Sequence, residues 1–233
     1  MMERRFELAV DDERLVGDTL GAAEQLQALF LHGAGQSHRQ RQRLLREDLA
    51  QAGCGSAALD FSGHGNSSAN QPGSLQKRCR QAQAVLQYVD SQHRIHTLVG
   101  TSMSGEVAIR LACAPASRID HLVLIVGAIY GRDAYTLPFG PAFSAEIRRP
   151  QSWRDAETLD LIAHYRGGLT LIRAMDDAVI PNEIAELLEQ AATAARFRRI
   201  IDLPETDHRV SEKMAQDSVL RAQVAAAILQ MDN

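Results

Sequence analysis

Cysteine is scarce in this 233-residue sequence. Cys54, Cys79 and Cys113 are an odd number, widely spaced, with no C-x-x-C pair and no histidine cluster at metal-ligand spacing, which argues against a disulfide framework or a zinc site. They read as small hydrophobes filling core or near-surface space. Long apolar runs are also missing. The longest, Leu122 to Tyr130, is nine residues with Gly127 counted, well short of the roughly 18 that a bilayer span requires, so no membrane partner is expected. Glu3, Arg4, Arg5, Glu7, Asp11 and Asp12 break up the opening segment where a secretory signal needs an uninterrupted apolar stretch, and a cytoplasmic location is the expectation. Nor does one sign of charge dominate. With 25 basic and 29 acidic residues the formal net charge is -4; a polyanion finds no footprint there, and nucleic acid is not an expected partner. Nothing repeats at a fixed period, which excludes solenoids and propellers.

What is present is core-forming material. Hydrophobic residues make up 45% of the chain and charged residues 23%, the balance of a folded protein, and the length favours one domain over 1–233. Phe6 to Val10 and Leu15 to Leu20 flank a polar turn at Asp11, Asp12 and Glu13, an expected hairpin. Buried strands are expected at 26–31, 57–61, 95–99, 122–128, 169–174 and 200–203, and helices at about 39–52, 75–89, 104–114, 182–195 and 212–230. This alternation implies an α/β fold, a mostly parallel sheet with helices on both faces, because parallel neighbours need crossover connections. The last helix keeps Met214, Val219, Val224, Ala227, Ile228 and Met231 near one face, as a core-covering helix does. The interval from Gly131 to Gly168 breaks the rhythm: it offers no strand, and Pro138, Pro141 and Pro150 interrupt any long helix. Six of the eleven aromatics, Tyr130, Tyr135, Phe139, Phe143, Trp153 and Tyr165, lie in it or at its edge. A small cap insertion at about 131–168, over a ligand pocket, would use large rings this way; so would an irregular segment that needs something to pack on.

The sharpest chemical signal is Val99-Gly100-Thr101-Ser102-Met103-Ser104-Gly105, after an apolar strand and before an amphipathic helix. A nucleophile elbow belongs at such a place. Its backbone is strained, so the positions two before and two after the nucleophile must be small, as Gly100 and Ser104 are. The turn sets the Ser102 hydroxyl at a helix N-terminus, where unpaired N–H groups favour developing negative charge. The alternative is an ordinary helix N-cap made by Ser102 or Ser104. A serine hydroxyl needs a base within reach, and histidine, with an unperturbed pKa of roughly 6.5, suits the task. Of the eight histidines only His208 follows the last expected strand, so its loop should open at the carboxyl edge of the sheet beside the elbow.

These segments together resemble the α/β-hydrolase family over nearly the whole chain. Leu31-His32-Gly33-Ala34-Gly35-Gln36-Ser37 is similar to its H-G-x-G oxyanion loop, and Asp60-Phe61-Ser62-Gly63-His64-Gly65-Asn66-Ser67 to its D-x-x-G-x-G-x-S turn. Ala174-Met175-Asp176-Asp177-Ala178-Val179-Ile180-Pro181 resembles the G-x-x-D-x-x-x-P acid loop, and Leu203-Pro204-Glu205-Thr206-Asp207-His208 the loop of the catalytic histidine. Three positions depart from the pattern: Ser104, Ala174 and Asp207 stand where the family usually has glycine. Asp207 could bond backbone N–H groups of its loop or act on His208 electrostatically. The resemblance implies the α/β-hydrolase fold and a triad of Ser102, Asp177 and His208 in this fold's order, Asp177 being preferred to Asp176 by its distance from Pro181. It also implies an oxyanion hole from the backbone N–H groups of Ala34 and Met103.

His32 and His64 then read as structural hydrogen-bonding residues of their turns, and His38, His93, His96, His121 and His164 as surface or strand-end residues. Arg39, Arg41, Arg43 and Arg46 along one helix, and Arg196, Arg198 and Arg199 before the last strand, read as solvated faces, with a substrate carboxylate or phosphate on the first set as the alternative. The function this implies is a serine hydrolase acting on a small-molecule ester or thioester, with no metal or organic cofactor. Carbon-carbon hydrolysis or a lyase reaction on the same residues, and a non-catalytic ligand-binding protein on this scaffold, are the rival readings. Neither the acyl group nor the oligomeric state is written in the sequence.

Overall fold

The computed structural model describes residues 2–231. Its opening hairpin joins β1 (Glu3–Val10) to β2 (Glu13–Leu20) through Asp11 and Asp12, both at positive φ (50° and 59°), a left-handed pair whose twist matches the flanking strands. The other strands are β3 (Leu26–Leu31), β4 (Gly55–Asp60), β5 (Thr97–Thr101), β6 (His121–Ile125), β7 (Gly168–Ala174) and β8 (Phe197–Leu203). They form one eight-stranded sheet, ordered β1-β2-β4-β3-β5-β6-β7-β8, antiparallel across β1, β2 and β4 and parallel for the rest. The helices are α1 (Arg43–Gln51), α2 (Leu75–Val89), α3 (Ser104–Ala112), α4 (Pro141–Ile147), α5 (Glu157–Ile162), α6 (Glu183–Ala191), α7 (Val210–Gln216) and α8 (Ser218–Leu229).

Strand periodicity divides the core in two. Leu29 and Leu31 of β3 join a hydrophobic cluster with α2, α3, α5 and α6, whereas Ala28 and Phe30 join another with α1, α7 and α8. The sheet is therefore covered on both faces, the α/β arrangement expected. Between β6 and β7 the chain makes α4, α5 and two short 3-10 turns. Phe143, Phe139, Tyr130, Tyr135 and Leu137 of this strand-free segment pack with Met103 and Leu75 into a third cluster, Phe139 and Phe143 edge to face at 4.8 Å. Four of the six aromatics thus pack with the turn after β5, while Tyr165 and Trp153 belong to the cluster of α2, α3, α5 and α6.

Three expectations are corrected. The apolar run after β6 leaves the sheet at Ile125, not Ala128, because Val126 takes a φ of 43° and carries the chain back across Ser102. The stretch 212–230 is not one helix. Asp217 is extended (φ -118°, ψ 100°) and its carboxylate accepts the N–H groups of Val219 and Leu220, starting α8 afresh and leaving Val219 79% exposed. Finally, the basic run at 39–46 is not a solvated face. Arg39 and Arg46 are buried, and both pair with buried Asp18 of β2, each at 2.6 Å. Arg46 also donates to Ser56 Oγ at 3.0 Å, while Arg39 pairs with Asp60 at the end of β4. Arg41 and Arg43 do face solvent, bridged to Glu212 and to Glu3 and Glu47.

This network ties β2 and β4 to the start of α1, and deleting one partner strands the others without water. Asp18→Ala is expected to cost about 3–5 kcal/mol, the usual loss when a buried pair is broken. Equilibrium urea unfolding checks it; an unchanged midpoint would mean that the network adds nothing net.

Candidate active site

Ser102, directly after β5, takes a left-handed conformation (φ 52°) that a non-glycine residue holds only when its surroundings compel it. Its N–H donates to the Ile125 carbonyl (3.0 Å), and its own carbonyl accepts from Gly105 (2.8 Å) and Ala128 (2.9 Å). Gly100 is needed two positions earlier: a Cβ there would lie 2.5 Å from the Ser104 carbonyl oxygen. Ser104 is fully buried, and its hydroxyl donates to the His32 carbonyl at 2.5 Å, so the serine that replaces the family's usual glycine joins the elbow to the loop after β3.

Three loops at the carboxyl edge of the sheet meet over this turn. His208 Nε2 lies 2.9 Å from Ser102 Oγ, and His208 Nδ1 lies 2.8 Å from Asp177 Oδ2. The other oxygen of Asp177 accepts the N–H groups of Val179 (2.8 Å) and Ile180 (2.9 Å). Burial pushes the Asp177 carboxyl upward, but the His208 contact and these two N–H groups outweigh it and hold the group below its ordinary range. The acid loop and the histidine loop are joined by backbone, Asp176 N–H to the Thr206 carbonyl at 2.9 Å. Asp176 and Asp207 point outward. Asp207 accepts the Arg209 N–H at 2.8 Å and the Arg209 guanidinium at 2.7 Å, which fixes the loop in place of the usual glycine.

The other side of the cleft is the loop after β3. His32 is buried and accepts the Phe61 N–H at Nε2 (3.0 Å), so Nδ1 carries the proton and donates to the Gly33 carbonyl (2.8 Å). Burial, with Arg78 nearby, keeps this imidazole neutral, its pKa well below the ordinary value. His64 donates from Nδ1 to the Ser37 carbonyl (2.9 Å) and accepts from Arg78 at Nε2 (2.8 Å), a turn-holding role like that expected of both residues. Asp60 takes N–H groups from Arg39 (2.8 Å) and Asn66 (2.9 Å), and Gly65, at φ 51°, must lack a Cβ because one would lie 2.1 Å from the Asp60 carboxylate. His121 opens β6 as a buried strand-end residue, 2.8 Å from Thr170 Oγ1. Gly33, Ala34, Gln36, Ser37, Ser102 and His208 line a cleft of about 290 Å³. The N–H groups of Ala34 and Met103 donate to no other group among the described residues.

One buried group beside this loop escaped sequence reasoning. Arg78 lies on the same face of α2 as Leu75, Cys79, Ala82 and Val85, and is buried with them. A cation at a helical-stripe position is the signal that could have found it.

A family model described as "Serine aminopeptidase, S33" matches residues 23–230. The chain belongs to this hydrolase family. Its fold is that of the α/β hydrolases, shared at TM-score 0.73 with a thioesterase domain from the curacin biosynthetic pathway, at 17% identity over 98% of this chain and 99% of that one. The enol-lactonase from Burkholderia xenovorans LB400 matches at TM-score 0.73 and 14% identity, over 96% of this chain and 100% of the other. Est1E from Butyrivibrio proteoclasticus, with ferulic acid bound, matches at TM-score 0.73 and 16% identity, over 97% and 100%. At such identities these likenesses show the fold alone. No curated protein sequence matches the chain. Among the described residues no helix is long and apolar enough to cross a membrane, and no group of three His, Cys, Asp or Glu side chains could hold a metal ion.

The depressed Asp177 carboxyl has a consequence for acid stability. Its folded-state pKa lies below the ordinary 3.8, so its contribution is complete above that value and is lost as the pH falls through the folded-state pKa. Asp177→Asn should therefore lower the urea midpoint at neutral pH, and the gap to wild type should shrink below 3.8. A gap that stays constant from neutral to acid pH would contradict this origin.

Proposed function

We propose that this member of the hydrolase family is a serine hydrolase that cleaves an ester or thioester of a small organic acid through an acyl-enzyme. The single observation that carries the reading is the unbroken chain of hydrogen-bonding distances, Ser102 Oγ to His208 Nε2 at 2.9 Å and His208 Nδ1 to Asp177 at 2.8 Å. Asp177 fixes the imidazole so that Nδ1 holds a proton and Nε2 faces the hydroxyl as a base. As Ser102 Oγ bonds to the substrate carbonyl carbon, its proton passes to Nε2. The carbonyl oxygen takes the negative charge, and the N–H groups of Ala34 and Met103 serve as its donors. The imidazolium then gives its proton to the leaving oxygen or sulfur. Water, deprotonated by the same nitrogen, attacks the acyl-serine, and breakage of the ester bond returns the hydroxyl to Ser102.

The modest cleft supports a small substrate rather than a polymer. The thioesterase domain and the enol-lactonase are fold neighbours whose names concern acyl chemistry, and Est1E holds ferulic acid; this supports the choice of bond, as fold-level analogy only. The test is a turnover panel of p-nitrophenyl esters, acyl-CoA thioesters and aminoacyl p-nitroanilides, run with wild type and Ser102→Ala. Ester or thioester turnover should exceed anilide turnover, and Ser102→Ala should lower it by at least about 10³-fold. A fluorophosphonate probe should label wild type at one site per chain and leave the variant unlabelled. Folded wild type that neither turns over the panel nor takes the probe would remove the proposal.

A further inference from the structure

Arg78 has no task in the mechanism above. Its side chain is 3% exposed, with the guanidinium 4.6 Å from the ring centre of Phe61 and 5.5 Å from that of Phe139. Its hydrogen-bond acceptors are all neutral: the Gly33 carbonyl at 3.1 Å and the His32 carbonyl at 3.5 Å from Nη1, and His64 Nε2 at 2.8 Å from Nη2. Burial pushes the guanidinium down to about 10, with the Tyr130 phenol acting the other way, so it is still a cation at neutral pH. A buried charge whose partners are all uncharged is costly to fold around. Stability is a poor reason for having one here.

Its position supplies a better one. The Gly33 carbonyl accepts twice, from Arg78 Nη1 and from His32 Nδ1. In a planar trans peptide the C=O and the following N–H point in opposite directions, so clamping the Gly33 oxygen also aims the Ala34 N–H, away from Arg78. Gly33 itself sits against the nucleophile, where an added Cβ would be 3.2 Å from Ser102 Cβ. We infer that Arg78 is a positioning residue: its guanidinium, with His32, holds the Gly33–Ala34 peptide so that the Ala34 N–H meets the oxyanion, and its uncompensated charge polarises that peptide as the oxyanion forms. The inference rests on the acyl-enzyme reading. It goes further by giving the oxyanion loop a charged support that is not itself in contact with substrate.

The test compares wild type, Arg78→Lys and Arg78→Met for kcat and KM on a p-nitrophenyl ester, with circular dichroism and thermal melting to establish folding. Loss of one oxyanion donor typically costs about 10²–10³ in rate, so misdirecting one should lower kcat of Arg78→Met by about 10- to 100-fold while KM shifts by less than about threefold. Arg78→Lys keeps the charge but cannot hold Gly33 and His64 together, and should fall between the two. A folded Arg78→Met with wild-type kcat, a loss carried by KM alone, or a lysine variant no better than methionine would each overturn the inference. Should Arg78→Met fail to fold, Arg78→Lys decides: kcat about three- to tenfold low at unchanged KM supports the positioning role, and wild-type kcat overturns it. Fluorophosphonate labelling separates the two levels. An unlabelled, inactive wild type removes the acyl-enzyme reading and this inference with it, whereas an active wild type matched by Arg78→Met removes only the inference.

Discussion

The backbone around Ser102 holds one residue in a left-handed conformation, and the rest of the site depends on it. Such a conformation costs a non-glycine residue on the order of 1–3 kcal/mol. Three main-chain hydrogen bonds, to Ile125 and from Gly105 and Ala128, oppose that cost. Their geometry exists because β6 lies parallel and in register beside β5, and because Val126 turns the chain back across the elbow. The outcome is a hydroxyl standing clear of the sheet edge, where His208 can reach it.

Polar groups hold the loops around that hydroxyl. Ser104 grips the His32 carbonyl, His32 and Arg78 grip the Gly33 carbonyl, and Asp60 gathers N–H groups from Arg39 and Asn66. Bonds of this kind are directional, so they set where a peptide N–H points as well as how tightly a loop packs. Apolar contact does the complementary work on the side of the strand-free segment, where Phe139, Phe143 and Tyr130 pack in one cluster with Met103. The departures from the family's glycines fit this picture: Ser104 and Asp207 each contribute a hydrogen bond that glycine lacks.

The elements were legible in proportion to their periodicity. The helix expected at about 75–89 coincides with α2 because an amphipathic stripe is a local property; the structure adds the cap, Ser74 Oγ accepting the Lys77 N–H at 3.0 Å. The expected single helix over 212–230 failed because Asp217 can cap only once the chain has turned there, and an apolar count through the position carries no sign of the turn. Arg39, Arg46 and Arg78 were misread or missed for one reason: whether a cation is buried depends on which acceptors arrive from elsewhere, and Asp18, Asp60 and Gly33 are distant in sequence.

The order of the eight strands along the chain, the helices α1, α2, α3 and α6 between them, and the five motif-bearing turns with the residue types at their tips are written in the sequence, since these follow from hydrophobic spacing and from turns that demand small residues. Tertiary structure alone decided that Ser102, Asp177 and His208 lie within hydrogen-bonding distance and that three arginines turn inward. Distances across the sheet edge and the company a buried charge keeps are set by strand register and loop closure, which bring together residues that share no local pattern.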